Sequence, residues 1–297
     1  MSTAIVYGDT PEQLAYCAAA ASAVGADAVG VTLENTGSDG FEDCGAQKVI
    51  VIDGAECAEQ VAQQVADLVQ AGDADMFLAA SGYNDQTLAA LVAGLLDWPI
   101  ESGVSSLDGS VGSLTVTRLL YGGAVSRDET VTGPCVVTVP AGVFDPASGL
   151  CTVEHVVAQA DERIEVVSAE AEKREGADLT KAERVLGIGM GMRTDEDFAL
   201  AKELAEALNA EISGTRGMAE ERGWLDNYIG ISGLTIQPDL YVAVAIAGQV
   251  QHVFGIRGSK IIVGINNNAD APIFKACDYG IVGDFHEIVP LLIQALS

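Results

Sequence analysis

The strongest constraint in this chain is a series of three near-continuous apolar runs close to its carboxyl end, Tyr241 to Ala247, Lys260 to Ile265 and Tyr279 to Val282. Each stops at small or polar residues: Gly248, the triplet Asn266-Asn267-Asn268, and Gly283-Asp284. A run that is apolar throughout suits a strand buried on both faces, which is the condition of a parallel sheet covered by helices. In an open sheet of that kind the carboxyl ends of the strands line one crevice, where ligands bind. The residues after each run are therefore the first candidates for a site.

The amino-terminal half reads as the same class of structure. Strands at Ala4 to Tyr7, Ala28 to Leu33, Val49 to Ile52 and Asp75 to Ala80 alternate with helices at Pro11 to Val24, about 55 to 69, and from the Ser81-Asp85 stretch to Trp98. Alternation of this kind predicts a parallel sheet. From Ser113 the pattern shifts, and Leu114 to Arg118 and Cys135 to Val139 are expected to be strands joined through a Tyr121-Gly122-Gly123-Ala124 turn. The charged stretch from Ser168 to Glu183 has few large apolar residues and reads as a linker. The expected organisation is an α/β domain over 1–169, a linker over 170–183, and a Rossmann-like, doubly wound α/β domain over 184–297.

That second domain opens with Val185-Leu186-Gly187-Ile188-Gly189-Met190-Gly191, a strand running into glycines, followed by Thr194 and Asp197 at the spacing of a helix-capping box. A Gly-x-Gly turn before a helix serves equally as a phosphate cradle or as a packing turn.

Charge narrows the partners. The 297 residues carry 43 acidic against 15 basic side chains, a net charge of −28, which disfavours nucleic acid and anionic membrane and suits a salty interior. No run approaches the roughly 18 uncharged apolar residues of a spanning helix. The amino terminus has no basic segment leading into an apolar core, so the expected location is the cytoplasm. Six cysteines without CxxC spacing and three scattered histidines, His155, His252 and His286, point away from a metal site.

The blocks GQVQH at 248–252, IIVGIN at 261–266, APIF at 271–274 and DYGIVGD at 278–284 recur in an order that closely resembles the alpha subunit of electron transfer flavoprotein. CGAQKV at 44–49, TRLLYGGA at 117–124 and VPAGVF at 139–144 resemble the amino-terminal domain of the same family. The resemblance implies an FAD-binding carboxyl-terminal domain and an amino-terminal domain that packs with a beta subunit. It also implies a carrier role, from flavin dehydrogenases such as those of fatty acid beta-oxidation toward a quinone oxidoreductase.

It assigns roles residue by residue. Thr215 and Arg216, in SGTRG, match a pair that meets the flavin, the arginine balancing negative charge on its reduced form; the ordinary alternative for Arg216 is an ion pair with Glu220 or Glu221. The loop Ile229, Gly230, Ile231, Ser232 lets backbone approach a ligand, with Ser232 keeping a hydroxyl near the flavin N5. Ile231 and Leu234 replace the glutamine and lysine common in the family. Ala247, Gly248, Gln249, Val250, Gln251 and His252 map onto a binding segment, His252 being the expected donor to a flavin carbonyl; its ordinary alternative is a helix residue bonded to neighbouring backbone. Asn266, Asp284 and Phe285 fall where the ribose and adenine are held, and Asp284 with Glu287 is also expected to form a capping box. Met190 stands where Gly-Arg-Gly is common, which removes a cation from the dinucleotide site while leaving glycine amides to donate.

Two other classes are compatible with the residues. A pyridine-nucleotide oxidoreductase would use the same opening with an acidic ribose ligand about 20 positions on, where Glu211 lies. A cofactor-free scaffold needs only the packing.

Overall fold

The computed structural model describes residues 2–34, 40–123, 125–169 and 178–296, and the chain divides into two compact units, Met1–Glu170 and Ala171–Ser297. Residues 170–177 of the expected linker lie outside the described residues, as does Ala124 of the expected turn.

In the first unit, β1 (Ser2–Tyr7), α1 (Pro11–Ala23), β2 (Ala26–Leu33), β3 (Lys48–Asp53), α2 (Ala62–Ala71), β4 (Met76–Ala80) and α3 (Tyr83–Leu96) alternate as the sequence predicts. They are followed by β5 (Ile100–Glu101), β6 (Val104–Ser110), β7 (Gly112–Leu120), β8 (Val125–Gly133), β9 (Cys135–Val139) and β10 (Thr152–Val157). Seven strands form one sheet in the order β10-β3-β2-β1-β4-β9-β5, all parallel. β1 shows why its run is apolar throughout: Ala4 and Val6 pack into one core cluster while Ile5 and Tyr7 pack into the other.

One pairing differs from expectation. The strands at 114–118 and 135–139 do not pair with each other. β7 pairs antiparallel with β6 and β8, turning through Tyr121, Gly122 and Gly123, whose φ values of 52°, 66° and 80° explain the two glycines. β8 escapes a sequence reading because Ser126-Arg127-Asp128-Glu129 is polar and only Val131 of the strand is buried. β9 enters the parallel sheet between β4 and β5, because all five residues of CVVTV are buried and need cover on both faces.

The second unit contains β11 (Arg184–Ile188), α4 (Asp195–Leu208), β12 (Glu211–Gly214), α5 (Arg216–Glu220), β13 (Leu240–Val244), α6 (Val250–Ile256), β14 (Ile261–Asn266), β15 (Tyr279–Val282) and α7 (Phe285–Leu296). Leu179, within the span expected as linker, is buried in this unit's core. The five strands are parallel in the order β12-β11-β13-β14-β15, the doubly wound arrangement whose topological switch lies between the first and third strands. Leu186, Ile188, Val242 and Val244 meet Ala201 and Leu204 of α4 and Val289 of α7 on one face; Val185, Tyr241 and Ala243 meet Ile256 of α6 on the other.

Helix starts follow the predicted chemistry at α4, where Thr194 and Asp197 make the reciprocal capping box. They depart from it at α7. The Asp284 carboxylate accepts the His286 amide at 3.0 Å, and the reciprocal bond from Glu287 is not made among the described residues. His286 donates its amide there and also places its Nδ1 2.9 Å from the same oxygen, so the carboxylate is already engaged. Among the described residues no helix is long and apolar enough to cross a membrane.

Candidate functional site

The switch between β11 and β13 opens a crevice of about 650 Å³ at the carboxyl edge of the second sheet. Its walls come from the turn after β11, the β12–α5 junction, the 228–232 loop, the β13–α6 connection and the end of β14. All the residues proposed from sequence line it except Val250, Asp284 and Phe285. Val250 is more than half exposed and is not part of the wall. Asp284 and Phe285 line an adjoining hollow of about 880 Å³ that shares Gly191 and Arg193 with the crevice.

The β13 exit is shaped by two unusual backbone positions. Ala245 sits at φ +56°, a left-handed conformation that costs a non-glycine residue about 1–2 kcal/mol, and its amide bonds to the Ile265 carbonyl. Gly248 sits at φ +83°, and a Cβ there would lie 2.3 Å from the Ile273 amide nitrogen, so only glycine allows the wall to close on the 3₁₀ turn Pro272–Lys275. Asn266 ties this exit to the next strand by donating from Nδ2 to the Ile246 carbonyl at 2.8 Å.

Thr215 follows β12 with its amide bonded to the Ile188 carbonyl, and its Oγ1 is buried without a hydrogen-bond partner among the described residues. An unpaired buried hydroxyl in a cavity wall costs about 1–3 kcal/mol unless a ligand completes it. Beside it Arg216 makes the ion pair with Glu220, Nε to Oε2 at 2.7 Å, that was its ordinary alternative, and still lines the crevice with its guanidinium 5.9 Å from the centre of the Tyr228 ring. Tyr228, which sequence reasoning missed, donates its hydroxyl to the Ser232 carbonyl at 2.9 Å and so holds the 228–232 loop in place. Its only sequence signal was an aromatic residue next to a small-residue loop.

His252 requires a correction. It is 6 % exposed, with Nδ1 3.1 Å from the Ile229 carbonyl and Nε2 2.9 Å from the Tyr241 hydroxyl. A carbonyl can only accept, so Nδ1 carries the proton and Nε2 accepts from the phenol. Burial pushes its pKa down to about 4, against the opposing effect of the Ile229 carbonyl, so the ring is neutral near pH 7. Both nitrogens are committed to protein partners, and the ring is not the free donor expected of it. Gly187 makes this possible, since a Cβ there would lie 1.8 Å from the Tyr241 hydroxyl oxygen.

The glycines after β11 also serve packing. A Cβ on Gly189 would lie 2.3 Å from the Ala245 carbonyl oxygen, and the amides of Gly189 and Gly191 already bond to the carbonyls of Val244 and Ala245. Both glycine amides expected as donors in Gly189-Met190-Gly191 are thus spent. The start of α4 is closed as well. Asp197 accepts from the amides of Arg193 and Thr194 at 2.6 and 3.0 Å, and Asp195, Glu196 and Asp197 occupy the first turn. Burial raises the Asp197 pKa, but those amides and His286 outweigh it and hold the carboxyl below its usual range.

Glu211 lies at the amino end of β12, whose carboxyl end is at Gly214. In a parallel sheet that puts it at the edge opposite the crevice, where it borders a separate groove with Phe198 and Trp224. It cannot serve as the ribose ligand that the pyridine-nucleotide reading required.

Residues 178–257 match the model of the electron transfer flavoprotein FAD-binding domain, and residues 16–174 match the electron transfer flavoprotein domain. The chain is 32% identical over 304 residues to a protein of Escherichia coli K12 named as an electron transfer flavoprotein subunit, YdiR, covering 98% of this chain and 97% of that one. It is 33% identical over 306 residues to the protein FixB of Escherichia coli O139:H28, with the same coverage of each chain.

Proposed function

The chain belongs to the electron transfer flavoprotein family as an alpha-type member with a carboxyl-terminal domain of the FAD-binding type, and from that premise we propose that it is the FAD-carrying subunit of a heterodimer with a beta-type subunit. In this reading it is an electron carrier that takes electrons from flavin dehydrogenases, among them acyl-CoA dehydrogenases, and passes them toward a quinone oxidoreductase. The observation that carries it is the buried, unpartnered Thr215 Oγ1 in the wall of a crevice at the topological switch. That hydroxyl and the close backbone walls at Gly230 and Gly248 fit a large planar cofactor.

Bound FAD supplies the redox chemistry, its ring exchanging electrons with donor and acceptor. The chain supplies charge, hydrogen bonds and exclusion of water. Thr215 contributes the hydroxyl and Arg216 a cation that lowers the cost of negative charge, damped by Glu220. Ser232 offers a second hydroxyl on the loop held by Tyr228. Ile231 presents apolar surface where the family carries an amide, which leaves less hydrogen bonding at that edge. His252 acts indirectly: by donating to the Ile229 carbonyl it positions the loop that Gly230 and Ile231 belong to. Asn266, Asp284 and Phe285 hold the far end of the dinucleotide across the shared Gly191 border.

The test is to co-express the chain with its beta-type partner in high salt, release any bound flavin from the purified complex and identify it. One FAD per heterodimer, with retention weakened in Thr215→Ala, is the expected result. An intact heterodimer that carries no flavin and takes none up would overturn the reading.

A further inference from the structure

The crevice poses an electrostatic problem that the residues assigned so far do not solve. A dinucleotide brings a diphosphate, and three usual ways of holding one are closed at the β11 turn. The family's cation position is Met190, the Gly189 and Gly191 amides bond to the Val244 and Ala245 carbonyls, and the first turn of α4 carries three carboxylates behind a completed capping box. Of the cations on the crevice wall, Arg216 is paired with Glu220. Arg193 is different. Its guanidinium makes no hydrogen bond or ion pair among the described residues, in a chain with 43 acidic side chains to choose from. It lines both the main crevice and the adjoining hollow, whose other walls carry Glu196, Asp197 and Asp284.

Its backbone, in contrast, is fixed at both ends. The Arg193 amide donates to Asp197 at 2.6 Å, and its carbonyl accepts from the Arg222 guanidinium at 3.2 Å. Asp197 is held in turn by His286, Nε2 to Oδ1 at 2.7 Å. A cation whose main chain is anchored while its head remains uncommitted is arranged to take an acceptor from outside the protein. An arginine matches a diphosphate through paired N–H donors.

We infer that Arg193 holds the diphosphate of the bound dinucleotide at the border between the two cavities, replacing the cation lost at position 190. This rests on the FAD reading above. Among the described residues lining the hollow, the carboxylates repel the linking phosphates and His286 is engaged with Asp197 and Asp284, so Arg193 also sets which way the dinucleotide runs, its flavin toward Thr215 and its adenosine toward Phe285.

The experiment uses the heterodimer stripped of flavin and titrated with FAD by fluorescence at several salt concentrations. Arg193→Gln raises the FAD Kd by about 10- to 100-fold, as expected for loss of charge-assisted bonds, and flattens its salt dependence; Arg193→Lys falls between it and the parent. A Kd unchanged by Arg193→Gln overturns the inference. So does a raised Kd with the parental salt dependence, which marks a merely structural role. Failure of the FAD reading is separately visible, because the unsubstituted heterodimer would then bind no FAD at all.

Discussion

The first unit's sheet changes direction between β1 and β4, the second's between β11 and β13. At the first switch the space is filled by the protein's own polar groups. Gln13 and the Gly82 amide donate to Asp85 Oδ2 at 3.1 and 2.8 Å, while Tyr7 and Asn84 donate to Asp9. At the second, glycines and the strained Ala245 let backbone pack closely along the walls of an open crevice. Charge follows the same division. The first unit carries 25 acidic and 4 basic side chains, the second 18 and 11. One topology therefore gives a closed, acidic edge or an open edge with cations, and only the latter suits an anionic cofactor.

The largest expected effect comes from glycines. Gly187→Ala puts a Cβ 1.8 Å from the Tyr241 hydroxyl and should destabilise the second unit by about 3 kcal/mol. Gly94→Ala, at an exposed position of α3 with nothing within 4 Å, should stabilise the first by about 0.5–1 kcal/mol. Urea unfolding of each variant separates the two. Equal effects would mean that the β11 glycine is not there to admit the phenol.

Acidification should move the units in opposite directions. Burial, with the charge of Asp9, raises the Asp85 pKa from 3.8 to about 7, so its contribution is fully present below pH 3.8 and is lost as pH rises through 7. His252 is lowered from 6.5 to about 4, so its contribution is present above pH 6.5 and is lost as pH falls through 4. As pH falls from about 6.5 to 4, opening free energies from hydrogen exchange, corrected for the intrinsic rate, should rise around α3 and fall around β13 and α6, by on the order of 1–3 kcal/mol each. Asp85→Asn and His252→Gln should each abolish only its own slope.

A smaller effect isolates the bond itself. Tyr241→Phe removes the hydroxyl that His252 Nε2 accepts from and should cost about 1–2 kcal/mol in thermal unfolding, without changing flavin identity. Smallest is Ala245→Gly. Relief of the left-handed backbone is partly offset by glycine's entropy, leaving a gain of less than about 1 kcal/mol in urea midpoint measurements. A loss instead would show that the strain at the switch is not real.

Much of this was legible before any coordinates. Continuous apolar runs suit strands buried on both faces, and β1, β4, β11 and β13 are such strands, whereas the run Tyr279–Val282 forms β15 at the sheet edge and is largely exposed. Thr194 and Asp197 signal the start of α4 through spacing alone. The polar strand β8 was hidden because pairing with β7, not burial, defines it. The site was legible as a set of strand ends, but Tyr228, Arg193 and Ala245 join it only through the fold.

What the sequence by itself determined is thus the class of architecture and the edge on which the site lies, since periodicity and strand order are local properties written in the residue pattern. Which donors remain free was decided only in three dimensions. His252 and the Gly189 and Gly191 amides all carry suitable groups, and each is spent on a partner distant in sequence. Thr215 and Arg193 remain available because their main chains are satisfied and no acceptor reaches their side chains among the described residues. A hydrogen bond depends on distance and direction in the folded chain, and residue identity fixes only the capacity to make one.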